Sequence, residues 1–277
     1  MSSAPEFYNP AGQVATPGSV SSFCAVGATA LLALLTLAGC SRIEPEPNKT
    51  MPSERTVKHF DFRSNHVQRI NYLLYLPKDY AEGKQRWPLM LFLHGAGERG
   101  TDIWKVAAHG PPKRVREHAE FPFIIVSPQC PEAQTWSREV LLALLDEFAE
   151  KYRVDTTRIY VTGLSMGGYG AWDLGLSHPE KFAAIVPICG GGDYITMLLA
   201  SRQSLPALQS LPVWAFHGAR DPVVPLSETQ RVVDFLKKAG VREVKLTVYP
   251  DAEHNSWTQT YDNPELYKWL LQHARKP

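Results

Sequence analysis

Short apolar runs bounded by Gly, Pro and polar residues alternate with longer stretches of helical period along most of this chain. The runs cover residues 69–76, 89–93, 123–127, 158–162, 183–188, 213–216 and 244–249. Several, FIIVS and AAIVPI among them, are apolar throughout, which is the mark of strands buried on both faces of a parallel sheet. Between them Val140, Leu141, Leu144, Leu145, Phe148 and Tyr152 recur at three- and four-residue spacing and predict an amphipathic helix. A second helix is predicted from Ser227, where Gln230 completes a capping-box pattern, to a stop at Gly240. The last covers residues 264–274, with Leu266, Trp269 and Leu270 on one stripe. This alternation predicts an α/β fold: a right-handed, doubly wound, mostly parallel sheet in a three-layer α/β/α arrangement. In such sheets ligands gather at the carboxyl ends of the strands.

The amino-terminal pattern is different. Residues 23–39, FCAVGATALLALLTLAG, are uncharged and rich in Leu and Ala, and the run stops at Cys40-Ser41-Arg42. Its length lies between a secretory h-region and a full membrane span. Leu37-Ala38-Gly39-Cys40 resembles the cleavage box of bacterial lipoprotein signal peptides, in which the Cys is acylated, so residues 1–39 are expected to be a signal peptide and Cys40 the lipidated residue. The stretch before the run has no Lys or Arg, a departure from a positive n-region that leaves an uncleaved anchor helix and a buried core helix as other readings. Residues 40–55 are polar and Pro-rich and read as a linker, leaving 56–277 as one domain. On this reading the protein is exported and attached to a membrane through Cys40.

Charge sharpens the division. The 277 residues carry 29 Lys plus Arg and 28 Asp plus Glu, and Glu6 is the one charged side chain before residue 40. A net charge of +1 provides no field to hold a phosphate backbone, so nucleic acid is not an expected partner. The chain holds no H-E-x-x-H, no paired C-x-x-C and no EF-hand cluster, so no metal is expected. Gly95, Gly97 and Gly100 match G-x-G-x-x-G formally, but no acidic ribose partner stands some 20 residues on, and no cofactor is expected.

Candidate chemistry centres on Gly163-Leu164-Ser165-Met166-Gly167, which follows the strand RIYVT and opens a helical stretch. This is the strand–turn–helix setting of a nucleophile elbow, with an ordinary Gly-rich turn as the alternative. A Ser hydroxyl needs a base, and the base needs an orienting carboxylate. His254 lies in the polar loop DAEHNSW after the last strand, where the order Ser, acid, His places the base. His94 and His217 each end a strand before Gly, which suits a structural role in the turn, and His109, His118 and His178 read as surface or loop residues. Asp221, in HGARDPVVP, is the favoured acid, with Asp193 and Asp251 as rivals. The N–H groups of Met166, next to the nucleophile, and of Ala96, in HGAG, are the candidate oxyanion donors. Trp104, Trp136 and Trp257 lie in loops near strand ends and are candidate apolar walls.

HGAGERG, GLSMGG, HGARDPVVP and DAEHNSW, in this order, resemble the α/β-hydrolase superfamily over about residues 56 to 275. Within it the chain is similar to the bacterial carboxylesterase and phospholipase-like branch related to polyhydroxybutyrate-depolymerase and feruloyl-esterase-type enzymes. The resemblance implies a serine carboxylic-ester hydrolase with Ser165, Asp221 and His254 as triad and Ala96 and Met166 as oxyanion hole, working through an acyl-enzyme on a small-molecule or polymer-linked ester. A serine peptidase of the same fold and a non-catalytic surface-tethered binding protein are the alternatives. The family's sheet order would separate the strands ending near Cys130 and Cys189 by two others, so no disulfide is expected. Residues 190–211, where a cap is often inserted, are too few for a domain-sized one, which implies a shallow, open site.

Overall fold

The strands are β1 (Thr56–Arg63), β2 (Val67–Tyr75), β3 (Trp87–Leu93), β4 (Ile124–Pro128), β5 (Val154–Leu164), β6 (Ala184–Ile188), β7 (Val213–Gly218) and β8 (Val244–Tyr249). They form one sheet in the order β1-β2-β4-β3-β5-β6-β7-β8. β1 with β2 and β2 with β4 are antiparallel, and every other pair is parallel. This computed structural model describes residues 56–63, 67–117 and 119–275, so the expectations for residues 1–55, including Cys40, and for His118 lie outside the described residues.

The continuous apolar runs are explained by burial on both faces. On one face of β3, Leu89, Leu91 and Leu93 join Leu141, Leu144 and Phe148 of α2 (Arg138–Lys151), Trp172 and Leu174 of α3 (Met166–Ser177), and Val232 and Leu236 of α6 (Leu226–Lys238). On the other face, Met90 and Phe92 meet Val115 of α1 (Gly110–Arg116), Tyr261 of α7 (Trp257–Asp262), and Leu266 and Leu270 of α8 (Pro264–Leu271). The period of two sends alternate side chains to opposite helical layers, so both must be apolar. The result is the α/β/α sandwich expected of an α/β hydrolase. Two short helices, α4 (Tyr194–Gln203) and α5 (Leu205–Ser210), occupy the segment between β6 and β7.

Three elements depart from the sequence reading. β1 has no strand signal in the sequence, because TVKHFDFR carries Lys58, His59, Asp61 and Arg63 and lacks a continuous apolar run; as an edge strand of the sheet it needs only one apolar face, and Phe60 is buried there. The capping box at Ser227 does not form. Pro225, with its preset φ, is the cap residue, Ser227 is already helical, and Gln230 bonds Asp234 instead. The last helix ends at Leu271, short of residue 274, and beyond it Arg275 N–H bonds Thr157 O across the fold. Cys130 and Cys189 are both buried free thiols at the ends of β4 and β6, with β3 and β5 between those strands.

Candidate active site

The turn from β5 into α3 sets the position of Ser165. Its backbone takes φ 53° and ψ −118°, a sparsely populated conformation that costs a non-glycine residue about 1–3 kcal/mol. Packing over-determines it. A Cβ on Gly167 would lie 1.9 Å from Leu93 O, and one on Gly163 would lie 2.3 Å from Gly167 O, so glycine alone lets α3 press against the ends of β3 and β5. Ser165 N–H in turn bonds Ile188 O at 3.0 Å, tying the elbow to β6. Met166 is the first residue of α3, so its N–H has no acceptor within the helix.

The loops after β7 and β8 bring two more side chains to this turn. His254 Nε2 lies 3.0 Å from Ser165 Oγ, and His254 Nδ1 lies 2.7 Å from Asp221 Oδ2. The Asp221 side chain is fully enclosed, and its other oxygen accepts the N–H groups of Val223 and Val224, both at 2.9 Å. Burial by itself raises this carboxyl, but the hydrogen bonds from His254 and from the two backbone N–H groups outweigh it and hold the group below its ordinary value. An ionised Asp221 accepts from Nδ1–H, which leaves Nε2 free to accept the Ser165 proton. The two rival carboxylates are elsewhere engaged. Asp193 caps α4 through Thr196 N–H at 2.8 Å, and Asp251 is exposed and pairs with Arg220 at 2.8 Å.

Behind this set stand groups whose part the sequence did not reveal. His217 is fully buried, 3.3 Å from Asp221 Oδ2, and its ring also meets Val224 O at 2.9 Å and Thr229 Oγ1 at 2.7 Å. Cys189, with φ 41°, lies beneath the site, and its sulfur, an Asp221 oxygen and a His254 nitrogen all fall within 4.8 Å of one another. Burial pushes the Cys189 thiol up to about 12, and both Asp221 oxygens are already in hydrogen bonds, so this cluster is a poor set of metal ligands.

Ala96 opens a 3₁₀ turn, Ala96–Glu98, directly after β3. A Cβ on Gly95 would meet the Leu164 side chain at 2.9 Å, which places this loop against the residue before Ser165. The loop is fastened to the end of β4: Gln129 Nε2 donates to Glu98 O and Asp102 O at 2.8 and 2.7 Å, and Gly100 N–H donates to Cys130 O. The glycines that formally matched a dinucleotide pattern thus shape a short 3₁₀ turn and do not open a long helix. An open cleft of about 520 Å³ reaches Ser165 and Met166, with Trp136, Tyr169, Asp173 and Asp193 along its walls. Of the other two tryptophans, Trp257 packs edge-on against His254 and Trp104 is 40% exposed.

A mostly parallel sheet with a strained serine at a strand–helix turn defines the class, the α/β hydrolases. A Phospholipase/Carboxylesterase family model matches residues 133–263, and an Esterase family model matches residues 64–191. A bifunctional acetylxylan esterase/xylanase of Neocallimastix patriciarum is 25% identical over 208 residues, covering 71% of this chain and 27% of that protein. An acyl-protein thioesterase 1 of Mycosarcoma maydis is 30% identical over 108 residues, covering 38% of this chain and 44% of that one. The chain thus spans less than half the length of these two relatives. A solved thermostable esterase is 33% identical, with a TM-score of 0.64 over 79% of this chain and 63% of that chain. The chain thus has the α/β-hydrolase fold and is similar to carboxylesterase-like members of that class.

Proposed function

We propose that this protein is a serine carboxylic-ester hydrolase with Ser165, His254 and Asp221 as its triad. The observation that carries the reading is the continuous relay from Asp221 Oδ2 through His254 to Ser165 Oγ, at 2.7 and 3.0 Å. The esterase families that match the chain support it.

The geometry supports a two-step acyl transfer. Ser165 Oγ attacks the ester carbonyl carbon, forming the Oγ–C bond as its proton passes to His254 Nε2. Asp221 fixes the imidazole and stabilises the imidazolium without taking the proton itself. The carbonyl oxygen becomes an oxyanion received by the N–H groups of Ala96 and Met166, each such donor being worth about 2.7–4 kcal/mol of barrier. When the tetrahedral carbon collapses, the C–O bond to the leaving alcohol breaks and His254 returns the proton to that oxygen. Water then repeats both halves on the acyl-enzyme, restoring Ser165 and releasing the acid. The open cleft, which has Asp193 at the start of the short helix α4 along its wall, suits an ester carried on a bulky or polymeric group.

Hydrolysis of p-nitrophenyl acetate and butyrate tests the reading. Turnover by the wild type that disappears in Ser165→Ala is the expected result; an inactive wild type, or full turnover by Ser165→Ala, would overturn it. Membrane attachment through Cys40 is a separate proposal that rests on the sequence, tested by lipid-precursor labelling that is lost in Cys40→Ser.

A further inference from the structure

His94 is the last side chain before the Gly95–Ala96 peptide, and it is wholly buried. Both ring nitrogens are engaged. Nε2 lies 2.9 Å from Cys130 N, a group that can only donate, so Nε2 is the accepting nitrogen. Nδ1 therefore carries the ring proton and donates it to Gly95 O at 2.6 Å, a group that can only accept. Burial lowers the imidazole to about 4, in keeping with a ring that stays neutral while the enzyme works. Trp136 packs edge-on against the ring, with centroids 4.7 Å apart, and its indole N–H bonds His94 O at 3.2 Å.

Gly95 O and Ala96 N–H belong to one planar trans peptide and point in opposite directions across it. Fixing the carbonyl fixes the N–H. The structure assigns to His94 the role of a positioning residue: in its Nδ1–H tautomer it bridges Cys130 N–H and Gly95 O, and so aims Ala96 N–H at the oxyanion. This rests on the proposed serine mechanism, in which Ala96 is a donor. It explains why a buried imidazole stands here: it offers a donor and an acceptor on opposite sides of a rigid ring, and so locks the β3 loop to the end of β4.

Two substitutions separate the arms of the bridge. His94→Asn keeps an N–H at the Nδ1 position for Gly95 O and gives up the Cys130 acceptor, whereas His94→Gln keeps an acceptor reaching toward Cys130 and gives up the Gly95 donor. In p-nitrophenyl acetate hydrolysis by the full chain, His94→Gln is expected to lower kcat about 100-fold with KM little changed, the signature of an interaction made only in the transition state. His94→Asn is expected to stay within about 10-fold of wild type, while Tm falls by similar amounts in both, each having lost one buried hydrogen bond. Equal kcat in the two variants, or losses that simply follow Tm, would overturn the assignment. Ring ¹⁵N NMR of the wild type reads the tautomer without any substitution: a protonated Nδ1 and a bare Nε2 are expected, and the reverse overturns it. Ser165→Ala, assayed alongside, keeps the two claims apart. Turnover by that variant sinks the serine mechanism, whereas an inactive Ser165→Ala beside a fully active His94→Gln sinks only the role of His94.

Discussion

The two halves of the site are built from different material. One half is made of side chains: Ser165, Asp221 and His254 stand at the ends of β5, β7 and β8, and their contacts at 2.7 and 3.0 Å are direct. In the proposed mechanism the other half is backbone, the N–H groups of Ala96 and Met166, and the loop that carries Ala96 is held by His94 and Gln129. A side-chain relay is sensitive to the identity of its members. A backbone pocket is sensitive to whatever holds the peptide planes, and to the glycines that let β3, β5 and α3 approach.

That contrast orders the expected effects. Ser165→Ala and His254→Ala remove members of the relay and should each lower kcat by about 10⁴-fold or more, measured as steady-state ester hydrolysis. Asp221→Asn should cost about 10⁴-fold, since the amide leaves His254 in the wrong tautomer, whereas Asp193→Asn and Asp251→Asn should leave kcat unchanged. A crippled Asp193→Asn would break the comparison by moving the acid to α4. Gly167→Ala touches the frame: its Cβ would lie 1.9 Å from Leu93 O, so overpacking should cost about 3 kcal/mol, or roughly 6–12 °C in Tm by calorimetry.

The smallest effects lie away from both halves. Asp193→Ala should cost about 1 kcal/mol through the lost α4 cap, with kcat intact, as chemical denaturation and assay would show together. Glu243 accepts from Trp269 Nε1 at 2.7 Å and pairs with Lys245 and His273. Burial alone would raise its carboxyl, but those partners bring it down from 4.5 to about 2. A carboxylate depressed on folding stabilises the fold above its unfolded value and loses that contribution as pH falls through the folded one. Glu243→Gln should therefore lower Tm at neutral pH, and the gap to wild type should close between about pH 4.5 and 2.

The chain states the side-chain half almost outright. GLSMG between a strand and a helix, a Ser-Asp-His order and a His in a polar loop after the last strand are local patterns, and the fold brings those three residues together. The parallel core was equally legible, because burial on both faces leaves continuous apolar runs. β1 was not, since an edge strand needs only one apolar face and TVKHFDFR shows no continuous run. The supports of the backbone half were hidden for another reason. His94 lies 36 residues before Cys130 in sequence, and a lone His before Gly says nothing of its partners. The one signal available was the placement of both His94 and His217 at strand ends before Gly, which suggested a structural part but not which peptide each ring holds.

Covalent capture tests the central claim most directly. Treated with a fluorophosphonate, the full chain should take up one label, carried by the peptide containing Ser165 when it is digested and weighed. The label should be absent in Ser165→Ala and form far more slowly in His254→Ala. An active enzyme that takes no label, or carries it on a residue other than Ser165, would contradict the account.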